Sequence, residues 1–265
     1  MISHFKKMLV RGCVTLGFIF SSLFAIQAEA TSAQDTWYVP NESGWGINVI
    51  QQDSAFGFAM YVYDSGQVPI WYLGDGSGSG TTWSGTMHAY RGPYFGGTFN
   101  PGAVSSTPVG TFIFTLNTVQ SATFSYNING ITATKVMSRL ALTTQNMSGS
   151  YIGAFVVHNT CATHTYEENP IFFNINDNGS AISMAAVDAT TTCNYSGTHT
   201  QEGRYGKVVG TFSCNNGKTG NFNWFEIDVA SQGLIGRYTG TSSLNGNNCT
   251  VEGRIGGISR STSSF

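Results

Sequence analysis

Thr111-Phe-Ile-Phe-Thr-Leu116 and Thr123-Phe-Ser-Tyr-Asn-Ile128 carry the reading on which the fold depends. In the first segment Phe112, Phe114 and Leu116 share one side of an extended chain. In the second, Phe124, Tyr126 and Ile128 do the same against Thr123, Ser125 and Asn127. A period of two sends alternate side chains to opposite faces, so one face packs and the other is wet. The same beat runs outward from here. Toward the N-terminus, Ile47 and Val49, then Phe56, Phe58, Met60 and Val62, then Ile70 and Tyr72 mark three strands, the last two joined by the turn Asp64-Ser65-Gly66-Gln67. Further strands are expected over 81–89, 108–117, 121–128 and 131–138. Residues 91–107, with Pro93, Pro101 and several glycines, read as a long loop.

After Ala141 to Met147 the pattern restarts. Strands are expected near 149–158, 170–176, 181–188, 193–200, 207–214, 220–229, 232–240 and 248–255, separated by turn chemistry such as Asn176-Asp-Asn-Gly179 and Asn215-Asn-Gly217. Strands joined almost entirely by short connections form a meander, and a meander of this size avoids exposed edges by closing. The expected fold is therefore all-β: two antiparallel meander domains, 31–142 and 147–260, each an eight-stranded barrel or a sandwich.

Residues 1–30 read as a secretory signal. Lys6, Lys7 and Arg11 precede an apolar run from Val14 to Ile26, followed by Ala28-Glu29-Ala30, the small-x-small pattern at which signal peptidase cuts. The run is shorter than the roughly 20 residues of a membrane-spanning helix, and no later stretch approaches that length. The mature chain then starts at Thr31 and is secreted or periplasmic. It carries 9 Lys+Arg against 13 Asp+Glu, a net charge of −4, after subtracting three cations and one acid from the whole-chain totals of 12 and 14. The cations are scattered, which argues against nucleic acid as a partner. From Gly76 to Tyr166 there is no acid at all, so Ser, Thr, Asn, Gln and Gly must solvate that surface.

Four cysteines remain after export: Cys161, Cys193, Cys214 and Cys249. In an oxidising compartment they read as two disulfides with three connectivities. Cys193 and Cys214 flank a hairpin centred on Glu202-Gly203-Arg204, whose even register brings them opposite each other. Cys161 then pairs with Cys249. No C-x-x-C spacing supports zinc, and no cofactor motif is present.

Trp37-Tyr-Val-Pro-Asn-Glu-Ser-Gly-Trp-Gly-Ile-Asn48, followed by Tyr61-Val-Tyr-Asp-Ser-Gly-Gln-Val-Pro-Ile-Trp-Tyr72, resembles a widespread family of exported bacterial β-rich proteins. In that family an E-S-G-x-G-x-N stretch precedes Y-D-x-x-G-x-P-x-W-Y. Gly130-Ile-Thr-Ala-Thr-Lys135 with Arg139, and the hairpin from Cys193 to Cys214, are similar to it as well. The resemblance implies export and a β-rich fold, and implies nothing about chemistry. Thr81-Thr-Trp-Ser-Gly85 resembles a strand of the avidins, an analogy of barrel architecture alone.

Aromatic residues crowd the first half. Because Met60 and Val62 share one strand face, Tyr61 and Tyr63 lie on the other, and Trp71 opposes Ile70 and Tyr72. With Trp45 and Trp83 these rings form the candidate ligand surface, since exposed flat rings stack on sugars or grip small apolar ligands. The alternative is that they fill a barrel interior or an interface between the halves. Glu42 and Asp64 are the carboxylates a hydrolase would use, but Asp64 reads as a turn initiator and Glu42 as the partner of a loop amide. His158, His164, Glu167, Glu168 and His199 could gather near Cys161 as a metal site, though their spacing matches no ligand motif. No nucleophile elbow, H-E-x-x-H or phosphate-binding loop is present. The expectation is a non-catalytic binding protein contacting a glycan or a small apolar ligand, with a hydrolase or an envelope structural protein as rivals.

Overall fold

The computed structural model describes residues 31–161 and 167–260. The signal-peptide reading of residues 1–30 falls outside them. Among the described residues there are sixteen strands and one short 3-10 turn. The first eight are β1 (Asp35–Tyr38), β2 (Gly46–Gln52), β3 (Ala55–Tyr63), β4 (Pro69–Ser79), β5 (Thr82–Arg91), β6 (Ser105–Leu116), β7 (Ser121–Ile128) and β8 (Ile131–Arg139). The second eight are β9 (Gly149–Asn159), β10 (Glu167–Asp177), β11 (Ala181–Val187), β12 (Thr192–Glu202), β13 (Tyr205–Cys214), β14 (Thr219–Ala230), β15 (Gly233–Leu244) and β16 (Asn247–Ser259). Each set is a closed antiparallel barrel in sequence order, so the choice between barrel and sandwich resolves to barrel. Barrel 1 closes where Trp37 and Tyr38 pair with Arg139 and Ser138. Barrel 2 closes along nine residue pairs between β9 and β16. Closure gives every strand two neighbours, although β1 covers β8 only at Ser138 and Arg139. No helix among the described residues is long and apolar enough to cross a membrane.

Alternation sets both interiors. Barrel 1 is filled by Trp37, Ile47, Phe56, Phe58, Met60, Trp83, Met87, Phe112, Phe114, Phe124 and their aliphatic neighbours. Barrel 2 is filled around Phe155, Phe173, Tyr195, Val208, Phe222, Trp224 and Ile255. Close strand approach is bought by glycine at the paired positions Gly76 and Gly85, where a Cβ would stand 2.1 Å from a carbonyl oxygen of the facing strand. The loop expected over 91–107 is shorter than anticipated. β5 runs to Arg91 and β6 starts at Ser105, and between them Asn100 caps the turn Pro101–Ala103 by accepting from the Gly102 amide at 3.0 Å.

Both disulfides expected from the sequence are present. Cys193 and Cys214 are direct cross-strand partners with Cα atoms 3.9 Å apart. Cys161 and Cys249 join across 88 residues with Cα atoms 5.5 Å apart.

The barrels meet through Arg139, whose side chain is fully buried. Its guanidinium donates to the carbonyls of Val119 (2.8 Å), Gln34 (3.1 Å) and Ser32 (2.8 Å) and to Asp35 Oδ2 (3.1 Å). It stacks over Trp37 of barrel 1 at 4.4 Å and Tyr205 of barrel 2 at 5.2 Å. Burial pulls its pKa below the ordinary arginine value, against the opposing pull of Tyr205 and Asp35. Around it, Arg204 pairs with Asp228 and reaches Asp35 at 3.8 Å, and Thr31 donates to Glu226. Gln145, in the connection between the barrels, bonds to Arg204 and Val229.

The same end of barrel 2 holds a buried polar pair, Asp177 and His199, with Oδ1 and Nδ1 3.0 Å apart. Removal from water would raise the Asp177 pKa, but hydrogen bonds from the Met147 and Gly179 amides and from His199 outweigh it and hold the carboxyl below its ordinary value. A carboxyl whose folded pKa lies below its unfolded value of about 3.9 stabilises the fold above that pH, and the contribution is lost as pH falls through the folded value. Urea midpoints followed from about pH 6 down to about pH 2 should therefore decline less steeply in Asp177→Asn than in the parent. An identical acid limb would remove Asp177 from the pH response.

Candidate functional site

Three of the five rings named from sequence lie together on the outside of barrel 1. Register pairs Tyr61 with Trp71 and Tyr63 with Pro69, and the Trp71 ring stacks on Tyr90, two residues past the last β4–β5 pair, Leu73 with His88. Trp71 and Tyr90 are parallel, 9° apart with ring centroids 5.8 Å apart. Tyr61, Tyr63 and Trp71 are 52, 57 and 48% exposed. Tyr90 was not anticipated, although its parity relative to inward-facing Met87 and the break at Arg91 marked it as outward. β5 leads into loop 92–104, where Tyr94, Phe95 and Phe99 are exposed and no charged residue occurs.

Trp83 does not belong to this surface. It is 1% exposed and lies in the core of barrel 1, 5.2 Å from Phe56 and stacked on it. The reason is parity: Trp83, Gly85 and Met87 alternate with the polar Thr82, Ser84 and Thr86, so the ring takes the inward set. Trp45 is half-buried and packs against the barrel 1 core with Val62, Tyr72, Val109 and Tyr126. Its indole N–H donates to Glu42 Oε2 at 3.0 Å, and Lys135 lies over the ring at 5.9 Å while bonding Glu42 Oε1 at 2.6 Å. The inward row of β8, Ala133, Lys135, Met137 and Arg139, thus places a cation over a tryptophan at each end of barrel 1. Loop 39–45 reaches this position through Gly44, at φ +106°, and Gly46, whose Cβ would lie 2.6 Å from the Trp37 carbonyl.

The carboxylates have other work. Glu42 bonds an indole and an ammonium rather than the loop amide expected of it, and the Lys135 and Trp45 hydrogen bonds hold its pKa below the ordinary value. A glycosidase acid needs its carboxyl pushed the opposite way. Asp64 Oδ1 accepts from the Gly66 and Val68 amides, both at 2.9 Å, which is the turn role read from sequence. Of the metal candidates, His199 is bound to Asp177 inside barrel 2 and His158 faces Glu252 at 4.0 Å. His164 lies outside the described residues. Among those described, no three such side chains cluster.

Barrel 2 has a hollow end. Trp45 packs over the barrel 1 core, and barrel 2 holds a cavity of about 250 Å³ on the side remote from Arg139. Phe155, Val157, Ile171, Ala186, Tyr195, Phe212, Tyr238 and Val251 wall it, beside the Cys193–Cys214 disulfide, and Asp188, Thr191, Asn216 and Lys218 stand at its rim. Burial pushes the Tyr195 and Tyr238 phenols well above their ordinary pKa. Sequence reasoning missed this cavity: alternation tells which side chains point inward, not whether their volumes fill the space.

No model of a known protein family matches the sequence, and no curated protein is recognisably similar to it. Among solved structures the chain is similar to crystal structures of the vaccine antigen Transferrin Binding Protein B from Haemophilus parasuis Hp5. A double mutant, with one tyrosine and one tryptophan changed to alanine, gives a TM-score of 0.27 at 9% identity. The single tryptophan mutant gives 0.25 at 8%. Each match covers 83% of this chain and 61% of the other, so the chain spans about three-fifths of the structures it matches. A superposition this loose carries no argument about function.

Proposed function

We propose that this is an exported, non-catalytic binding protein of the cell envelope or medium that holds glycan chains on the aromatic row of barrel 1. The observation that carries this reading is the parallel pair Trp71 and Tyr90, flanked by Tyr61 and Tyr63, on a closed sheet that does not need them for its core. Apolar rings held rigidly at the surface lose little entropy when a sugar face stacks on them. The surrounding wall is polar and nearly uncharged, which suits a neutral or weakly anionic polysaccharide. The two disulfides, two-barrel closure and leader-like residues 1–30 support export.

Trp71→Ala should abolish retention on a glycan array while leaving the melting temperature within about 2 °C of the parent, as expected for a surface change. A collapsed melt would instead assign Trp71 to the structural core. Undiminished retention would remove the row from the binding surface.

A further inference from the structure

We infer that the cavity of barrel 2 is a second, independent binding site, for a small flat aromatic molecule carrying one carboxylate. Its walls come from strands on all sides of the barrel: Phe155 on β9, Tyr195 on β12, Phe212 on β13 and Tyr238 on β15. The rings of Tyr195 and Phe212 lie 5.1 Å apart at 25°, and Phe155 meets Tyr238 edge-on at 5.4 Å. Such walls favour a planar guest, which presents a face to one ring and an edge to another. The size is also restrictive. A cavity near 150 Å³ takes benzene and drug-sized ligands need roughly 300 Å³ or more, so about 250 Å³ corresponds to a bicyclic ring with a short arm.

Charge at the rim selects the arm. Asp188 is committed to its own turn: its Oδ1 accepts from the Thr190 and Thr191 amides, both at 2.7 Å, and those bonds lower its pKa. Lys218 is half-buried at the same rim and forms no ion pair among the described residues, where Lys135 and Lys207 each have a carboxylate. An apolar hollow with one unpaired ammonium at its lip recognises an anionic head on an apolar body. At the inner side, Trp224 lies 5.8 Å from Tyr195 and 6.2 Å from Phe155, and its indole N–H is buried without an acceptor. It is the single tryptophan of barrel 2 and stands within reporting distance of a guest.

Calorimetric titration of the protein with indole-3-acetate and with its neutral amide tests this. The parent should bind the acid about tenfold more tightly than the amide. Lys218→Met should bring the acid down to the affinity of the amide and leave the amide unchanged. Ala186→Phe, which fills the hollow from β11, should remove binding of both; if that variant does not fold, shifts in Trp224 side-chain resonances of the parent on addition of the acid serve in its place. Trp71→Ala should bind both probes as the parent does, which separates this site from the aromatic row of barrel 1. No binding of either probe, equal loss of both in Lys218→Met, binding retained in a folded Ala186→Phe, unmoved Trp224 resonances, or dependence on Trp71 would each overturn the assignment.

Discussion

Arg139→Met should lower the free energy of unfolding by about 3–5 kcal/mol, the range for breaking a buried ion pair from one side, and the melting temperature on the order of 10 °C for a chain of this size. Methionine fills much of the arginine's volume but donates nothing. The carbonyls of Ser32, Gln34 and Val119 lose their guanidinium donors, and Asp35 is left with the Thr36 amide at 2.8 Å and the 3.8 Å approach of Arg204. The stack between Trp37 and Tyr205 loses its middle member, and with it the approach of residue 139 to barrel 2. Arg139→Lys should recover only part of the loss, since one ammonium cannot serve four acceptors spread around a planar fork. Lys135→Met makes the useful control. Its pair with Glu42 is partly solvated and screened by water, so the change should cost far less than Arg139→Met. Urea titration of the three variants decides the matter, and equal small losses for Arg139 and Lys135 would show that the junction is not held by the guanidinium.

The second large effect concerns the disulfide between Cys161 and Cys249. Closing an 88-residue loop should stabilise the fold by about 4.6 kcal/mol in the chain-entropy model, against about 3.3 kcal/mol for the 21-residue loop between Cys193 and Cys214. The longer bridge ties the end of β9 to the start of β16, the seam where barrel 2 closes. The double variant Cys161→Ser, Cys249→Ser should therefore open that seam and fall further in stability than Cys193→Ser, Cys214→Ser, whose cysteines are already held opposite by a continuous hairpin. Equilibrium denaturation of both double variants gives the order directly. A larger loss from the hairpin pair would mean that the seam is held by its strand pairing alone.

The all-β architecture was legible because side-chain period is a local property: Phe112, Phe114 and Leu116 announce a packed face whatever surrounds them. The hairpin disulfide was legible for the same reason, as its register follows from one turn. Trp83 faces inward rather than joining the expected ligand surface, and its polar neighbours Thr82, Ser84 and Thr86 carry that parity in the sequence. Trp45 sits in a loop without periodicity, and its position over the barrel 1 core depends on Lys135, ninety residues away in the sequence. Arg139 shares the inward parity of Met137, but its acceptors are backbone carbonyls of Ser32, Gln34 and Val119, which no residue type reveals. The cavity of barrel 2 was hidden because it reflects a deficit of volume among Ala186, Val157 and Val251 once eight strands have closed, and that sum exists only in three dimensions.

Trp37, Trp83 and Trp224 are sealed in cores and Trp45 lies half-buried beneath Lys135, so Trp71 dominates the tryptophan emission that a dissolved quencher can reach. Acrylamide quenching of the protein, repeated across a panel of soluble polysaccharides, therefore reads the aromatic row itself. At least one polysaccharide should lower the quenching constant of the parent and leave that of Trp71→Phe unchanged. Quenching that stays the same across the whole panel, or protection that persists without the indole at position 71, would contradict glycan binding on this row.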